Sequence, residues 1–242
     1  MTIYSVNGKE PSACWIPSLD SAGNGTTTLT DLVGVRNGTL TNFSLSGTTS
    51  NWVAETNSGG VRAIAFDGAD DFVVANNPLI TSAGSVSLWL YARTLAAGAT
   101  TFAFAHFNAG NRLYISPQHI VSRNNTIGVG ATQGLISSAM SLNTWYCITL
   151  SYNGSTASMY VNGAQIGTAT AYSGLTSMAA TINLGRVNAA GGIGYFDGLI
   201  DDVRTFSVAT DLADHQYLYN SNTGRARVTS AVTSSILAYP IE

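Results

Sequence analysis

The sequence reads as an all-β protein, a sandwich of two antiparallel sheets with one short helix near its C-terminus. Three observations carry this reading. Ser85–Ala92 (SVSLWLYA) and Trp145–Tyr152 (WYCITLSY) are each apolar on both faces, with Val86, Leu88 and Leu90 on one side and Trp89 and Tyr91 on the other. Strands of that kind lie centrally in a layered fold, which implies two packed layers. Asn162-Gly163 separates two alternating runs, Ala157–Val161 and Ala164–Thr168. This is the signature of a hairpin, because both central residues of a type I′ turn need positive φ. Finally, Thr181–Phe206 is a short strand, a glycine-rich crossing and a second strand entered through Phe196-Asp197-Gly198.

Taken in order, residues 1–11 form a polar arm, followed by the strand Ala13–Ile16, which Pro17 stops. The cluster Asp20-Ser-Ala-Gly-Asn-Gly25 is dense in turn formers. Thr26–Val33 is rich in β-branched residues and reads as a strand, and Asn37-Gly38 turns the chain into Thr39–Thr41. Trp52 is a core anchor in a looser stretch, and Val61–Phe66 is a strand. Asp67-Gly-Ala-Asp-Asp71 then turns the chain into Phe72–Val74. Further short strands are expected at Phe102–Phe107, Leu113–Ser116 and Thr126–Val129. Thr210–Asn220 is the helix, with Thr210 as its cap and Leu212, Gln216 and Tyr219 near one face. The chain therefore divides into an arm (1–11), one domain (12–220) and an extended tail (221–242). The tail, RARVTSAVTSSILAYPIE, is an edge that calls for a sheet to join, so it is expected in assembly.

Composition narrows the function. Charged residues are only 10% of the chain and its net charge is −3, with Lys9 the sole lysine. No basic stripe for phosphate backbones exists, so nucleic acid is excluded as an expected partner. No apolar run reaches the ~18–20 residues of a membrane span, and MTIYSVNGKE lacks the pattern of a secretory signal. Cys14 and Cys147 sit in no ligand spacing and are expected as two thiols within strands, with a single disulfide between them as the alternative.

These pieces, in this order, resemble a family. Ala13-Cys-Trp-Ile, Asp20-Ser-Ala-Gly-Asn-Gly, Asn37-Gly-Thr-Leu, Ala65-Phe-Asp-Gly-Ala-Asp-Asp-Phe-Val, Ser85-Val-Ser-Leu-Trp-Leu, Asn143-Thr-Trp-Tyr, Tyr160-Val-Asn-Gly and Phe196-Asp-Gly-Leu-Ile-Asp-Asp-Val-Arg are similar to the laminin-G-like, concanavalin A-like jelly rolls. The resemblance implies two stacked, curved antiparallel sheets, and no single function. It also implies a calcium ion held by acidic residues near two of these motifs, which puts Asp67 and Asp202 first, with Asp71, Asp201 and Asp197 beside them. The residues themselves are compatible with that, since calcium takes carboxylates and loop carbonyls, and equally with aspartates that only form turns. A glycan-binding face is the other implied property. Tyr114, Asn188 and Tyr195 are its candidates, as an aromatic and amide set that hydrogen-bonds and stacks on sugars.

Catalysis has no support in the residues. The glutamates, Glu10, Glu55 and Glu242, have no partner carboxylate at i+2 or i+4 within a strand, as a glycosidase pair would need. His106 and His215 read as structural histidines, and no nucleophile elbow surrounds any serine. The expectation is a non-catalytic binding protein. Its expected setting is a bacteriophage virion, as a capsid-decorating or tail-associated part that meets other virion proteins or itself through its termini and contacts glycans. A calcium-dependent carbohydrate-binding or adhesion module at a bacterial surface is the alternative, and a polysaccharide-acting enzyme comes third.

Overall fold

A computed structural model describes residues 4–20, 26–47, 50–54, 62–76, 83–94, 103–108, 111–115, 126–128, 134–136, 141–171, 180–186 and 194–220. Among the described residues sixteen strands and one α-helix follow one another. They are β1 (Ala13–Trp15), β2 (Thr28–Leu29), β3 (Gly38–Thr41), β4 (Asn51–Ala54), β5 (Arg62–Asp67), β6 (Phe72–Asn76), β7 (Gly84–Ala92) and β8 (Phe104–Asn108). After them come β9 (Asn111–Ile115), β10 (Thr126–Gly128), β11 (Gly134–Ile136), β12 (Trp145–Tyr152), β13 (Thr156–Val161), β14 (Ala164–Ala171), β15 (Thr181–Leu184), β16 (Asp197–Phe206) and the helix α1 (Leu212–Tyr219). Pro17–Leu19 is a single 3-10 turn.

The strands make an eight-stranded sheet in the order β14-β13-β12-β7-β16-β5-β4, with β1 beside the second half of β16. A six-stranded sheet runs β2-β3-β6-β15-β8-β9, and β10 pairs β11 separately. The two-sided strands are central, as their sequence requires: β7 lies between β12 and β16. Thr181–Phe206 does more than join two strands, because β15 belongs to the six-stranded sheet and β16 to the eight-stranded one. The chain changes layer there, and Phe196 N–H returns to the Gly185 carbonyl at 2.9 Å. The Asn162-Gly163 turn has φ of 49° and 86°, the pair a type I′ hairpin needs.

Between the sheets lies the main core, built from Trp15, Phe66, Leu88, Phe104, Leu150 and Phe196 among others. The outward side of β7 and β12 is also buried, against residues the strand pattern does not reveal. Val6 from the N-terminal arm and Leu218 from α1 close over Trp89, Cys147 and Phe206, so the eight-stranded sheet has a partial third layer. Cys14 and Cys147 are both buried free thiols whose pKa is pushed up by burial, which suits inert packing.

The helix departs from expectation in its cap. Asp211, and not Thr210, is the N-cap: its carboxylate accepts from Asp214 N–H while Asp214 reaches back to Asp211 N–H, a reciprocal box. Thr210 is held in the preceding turn, where its N–H donates to Ser85 Oγ at 2.9 Å and Ser151 Oγ at 3.0 Å. The buried face of α1 accordingly carries Asp214, His215 and Leu218, and Leu212 faces solvent.

Candidate functional site

The expected acidic set divides into two. Register pairs Asp197 of β16 with Asp67 of β5, so the β5–β6 turn, with Asp67, Asp70 and Asp71, stands next to the start of β16. Asp197 itself is already committed, accepting from Arg93 Nη1 at 3.0 Å and Thr94 Oγ1 at 2.6 Å. Asp201 and Asp202 lie farther along β16, roughly 15 Å from Asp197 at the usual rise per residue. They do not join Asp67 in one site.

Asp202 instead forms a buried ion pair. A bulge between Asp201 and Arg204 places Asp202 in the left-handed region at φ 44° and turns its carboxylate onto Arg204. Arg204 donates from Nε to Oδ1 at 2.6 Å and from Nη2 to Oδ2 at 2.9 Å, a bidentate fork with both side chains only 3% exposed. Its Nη1 donates to the Tyr4 carbonyl at 3.1 Å, which ties down the N-terminal arm. Asp201 Oδ1 accepts from Asp202 N–H at 2.7 Å. The neighbouring aspartate outweighs burial and raises the guanidinium pKa. These two carboxylates are structural, and the bulge that makes them so carries no signal in a run such as LIDDVRTF.

The β5–β6 turn is different. The ligand oxygens of Asp67, Asp70 and Asp71 all lie within 4.8 Å of one another. Asp71 is fully buried, and burial pushes its pKa up to about 6, with the charges of Asp67 and Asp70 adding to the effect. Asp71 Oδ2 accepts from Asp67 N–H at 3.0 Å and Asp67 Oδ1 from Ala69 N–H at 2.8 Å. The turn thus forms the hydrogen bonds expected of turn aspartates, and Asp71 Oδ1 has no partner among the described residues.

His215 is the buried histidine that its place on α1 suggests. Its Nε2 accepts from Gly163 N–H at 2.9 Å, so Nδ1 carries the proton and donates to Thr149 Oγ1 at 2.8 Å; Thr149 in turn donates to Ser87 Oγ at 3.0 Å. Tyr160 stacks on the ring at 5.6 Å. Burial pushes the imidazole pKa down to about 4. Fully enclosed and neutral, it locks helix to sheet and reaches no substrate.

The outer face of the six-stranded sheet is the other place where functional side chains gather. Register aligns Thr28, Thr39, Val74, Asn183, Ala105 and Tyr114 in one row across the sheet. Their neighbours in sequence, Leu29, Leu40, Val73 and Leu184, point into the core, so Thr28, Thr39, Val74 and Asn183 lie on the opposite face of the sheet. Thr39 and Asn76 are exposed, and Thr41, Val74 and Arg186 half-buried. The Arg186 guanidinium lies over the Phe72 ring, 3.2 Å from its centroid, and donates from Nε to Asn183 Oδ1 at 3.3 Å. Asn183 is 1% exposed and its Nδ2 has no partner among the described residues. Of the candidates for a glycan face, Tyr114 holds a position in this row, and Tyr195 is half-buried just before β16. Asn188 lies outside the described residues. Phe72, Asn183 and Arg186 were missed; a lone asparagine between apolar residues in TINL was the available signal.

With this geometry, comparison with known proteins defines the class. A family model described as the concanavalin A-like lectin/glucanases superfamily, Laminin_G_3, matches residues 66–214, more than half of the chain. The protein belongs to that family. Among solved structures, domain 4 of AbnA, a GH43 extracellular arabinanase from Geobacillus stearothermophilus, solved with arabinotriose, is similar at a TM-score of 0.67 and 20% identity. The match covers 87% of this chain and 98% of that one. Trypanosoma rangeli sialidase matches at a TM-score of 0.63 and 13% identity, over 88% of this chain but 33% of its own. The binding domain of botulinum neurotoxin DC, in complex with SialylT, matches at 0.57 and 15% identity, over 91% of this chain and 52% of that one. At these identities the likeness establishes the fold. Comparison with curated proteins finds no match. No helix among the described residues is long and apolar enough to cross a membrane.

Proposed function

We propose that this chain is a non-catalytic carbohydrate-binding jelly roll that takes a neutral glycan on the outer face of its six-stranded sheet. The observation that carries the proposal is the chemistry of that face: exposed Thr39 and Asn76 and half-buried Thr41 share it with Phe72, whose ring lies under the Arg186 guanidinium. Hydroxyl and amide groups beside a ring held under a guanidinium suit the mixed polar and apolar faces of a sugar. The family, and two solved relatives described in complex with arabinotriose and SialylT, support the same reading.

A hydrolytic use of the acidic turn is disfavoured by access. Asp71, whose raised pKa resembles that of a general acid, is fully buried and cannot meet a glycosidic oxygen. Calorimetric titration of the full chain with arabinotriose, and screening on a glycan array, test binding. A ligand should be found, and Arg186→Ala should weaken it about tenfold, the worth of one good contact. An empty array, or unchanged affinity in that variant, would sink the proposal.

The proposed setting is a virion, with attachment through residues 221–242, which lie outside the described residues. It rests on the charge-poor, alternating composition of that tail. Light scattering should show an oligomer that deletion of Thr223–Glu242 returns to monomer. A monomeric full chain would remove self-assembly through the tail from the proposal.

A further inference from the structure

We infer that Asn7-Gly8 is a site of spontaneous deamidation, and that the carboxylate formed there releases the N-terminal arm from the eight-stranded sheet. The two residues are the tip of a tight turn. Val6 and Lys9 exchange backbone hydrogen bonds at 2.9 and 2.8 Å across it, with Asn7 at φ 46° and Gly8 at φ 86°. Both tip residues are exposed, and the Gly8 N–H donates to no acceptor among the described residues.

The reaction needs only water and a base. The Gly8 nitrogen gives its proton to solvent base and attacks Asn7 Cγ; the new N–Cγ bond closes a five-membered succinimide, and the Cγ–Nδ2 bond breaks to release ammonia. Water then opens the ring at either carbonyl, leaving aspartate or isoaspartate. Glycine has no side chain to obstruct the attack. The other Asn-Gly pairs among the described residues differ: Gly163 N–H is engaged by His215 Nε2 at 2.9 Å, and Gly38 is buried. Asn153-Gly154 is exposed, yet Asn153 Oδ1 accepts from Ser155 N–H, Ser155 Oγ and Thr156 N–H, bonds that an aspartate keeps.

At Asn7 the conversion is not silent. Its Nδ2 donates to Asp214 Oδ1 at 3.1 Å, and Asp214, 1% exposed, also holds Lys9 Nζ. Deamidation exchanges that donor for a second carboxylate facing a buried one, so a bond becomes a repulsion. Lys9 already serves two acids, since the Asp211 carboxylate lies 3.7 Å from its nitrogen. Isoaspartate also adds a methylene to the main chain, which a two-residue turn does not accommodate. The arm so loosened is the one whose Val6 closes over Trp89, Cys147 and Phe206. Because ammonia is lost to solvent, the release runs one way.

The test is to age the full chain in mildly alkaline buffer and map the amide-to-acid mass gain by peptide. Release of the arm is read by a lysine-specific protease, for which Lys9, the sole lysine, gives a single cut. Asn7→Asp should lower Tm by about 4–8 °C and speed cleavage after Lys9 about tenfold, the effect of one lost buried bond. Asn153→Asp should leave both unchanged. Asn7→Gly keeps the turn but cannot deamidate, so its Tm and cleavage rate should not change on ageing while those of the parent do. No mass gain at Asn7 in the aged chain, or parental Tm and cleavage in Asn7→Asp, would overturn the inference. Neither readout involves a glycan, so the result stands or falls apart from the binding proposal.

Discussion

The two sheets present opposite outer faces. On the eight-stranded sheet the outward side chains of the central strands are Trp89, Cys147 and Phe206, and the molecule covers them itself with Val6 of the arm and Leu218 of α1. On the six-stranded sheet the outward row of β3, β6 and β15 is threonine, valine and asparagine, with Arg186 stacked on Phe72, and Thr39 and Asn76 on its β3–β6 side are exposed among the described residues. Apolar surface is expensive to leave wet, so the first face demands a cover and is spent on stability. The second carries its own hydrogen-bonding groups at the surface and is available to a ligand. Polar groups occur on both: Ser85, Ser87, Thr149, Ser151 and His215 bond one another and the turn before α1, where Thr210 Oγ1 has no partner among the described residues, as is true of the Asn183 amide on the other sheet.

If the covered face is structural, damage to its polar anchors should unfold the protein. The largest effect is expected from Arg204→Met, which leaves Asp202 buried and uncompensated and releases the arm at Tyr4. Removing one partner of a buried pair costs about 3–5 kcal/mol, and denaturant unfolding would measure it. Replacing both partners by apolar residues should restore part of the loss; a single variant as stable as the parent would show that the arm and bulge contribute nothing.

Acid acts on the same face through His215. The unfolded chain takes up the proton near pH 6.5, while the folded one holds the ring neutral down to about 4. Stability from this group is therefore complete above pH 6.5 and is lost as pH falls toward 4, by about 3 kcal/mol in all. Between those values a His215→Gln variant should show a flatter stability profile than the parent, and parallel profiles would contradict the assignment. The ring is enclosed by Tyr160, Thr149 and the Gly163 amide, with Asp214 next to it in sequence held by Lys9.

How much of this was legible in the sequence follows from what each feature depends on. The central strands and the Asn162-Gly163 hairpin rest on local alternation and on residues at positive φ, which a sequence displays directly, whereas the assignment of β15 and β16 to different sheets depends on pairing partners distant in sequence. The third layer was not legible, because an outward Trp89 says that something covers it and not that Val6 and Leu218 do. The same holds for the cap: the sequence reading placed it at Thr210, and Asp211 takes that role because Ser85 and Ser151, distant in sequence, hold the Thr210 N–H. Asp202 looked like Asp67, an aspartate in an Asp-rich motif. Only the bulge, a property of the pairing with β7, turned it onto Arg204.

The smallest effects on stability belong to the open face, and there the comparison is sharpest. Thr39→Ala and Asn76→Ala remove exposed side chains with no buried partner to strand, so unfolding free energy should move by no more than about 0.5 kcal/mol. Glycan affinity should nonetheless fall with each, because a sugar hydroxyl loses its partner in a desolvated contact. A face that can be changed without cost to the fold yet at a cost to binding is what separates a recognition surface from a solvated one. If Thr39→Ala destabilised the domain as Arg204→Met does, the open face would be a second structural face, and the glycan would have to be sought on the loops.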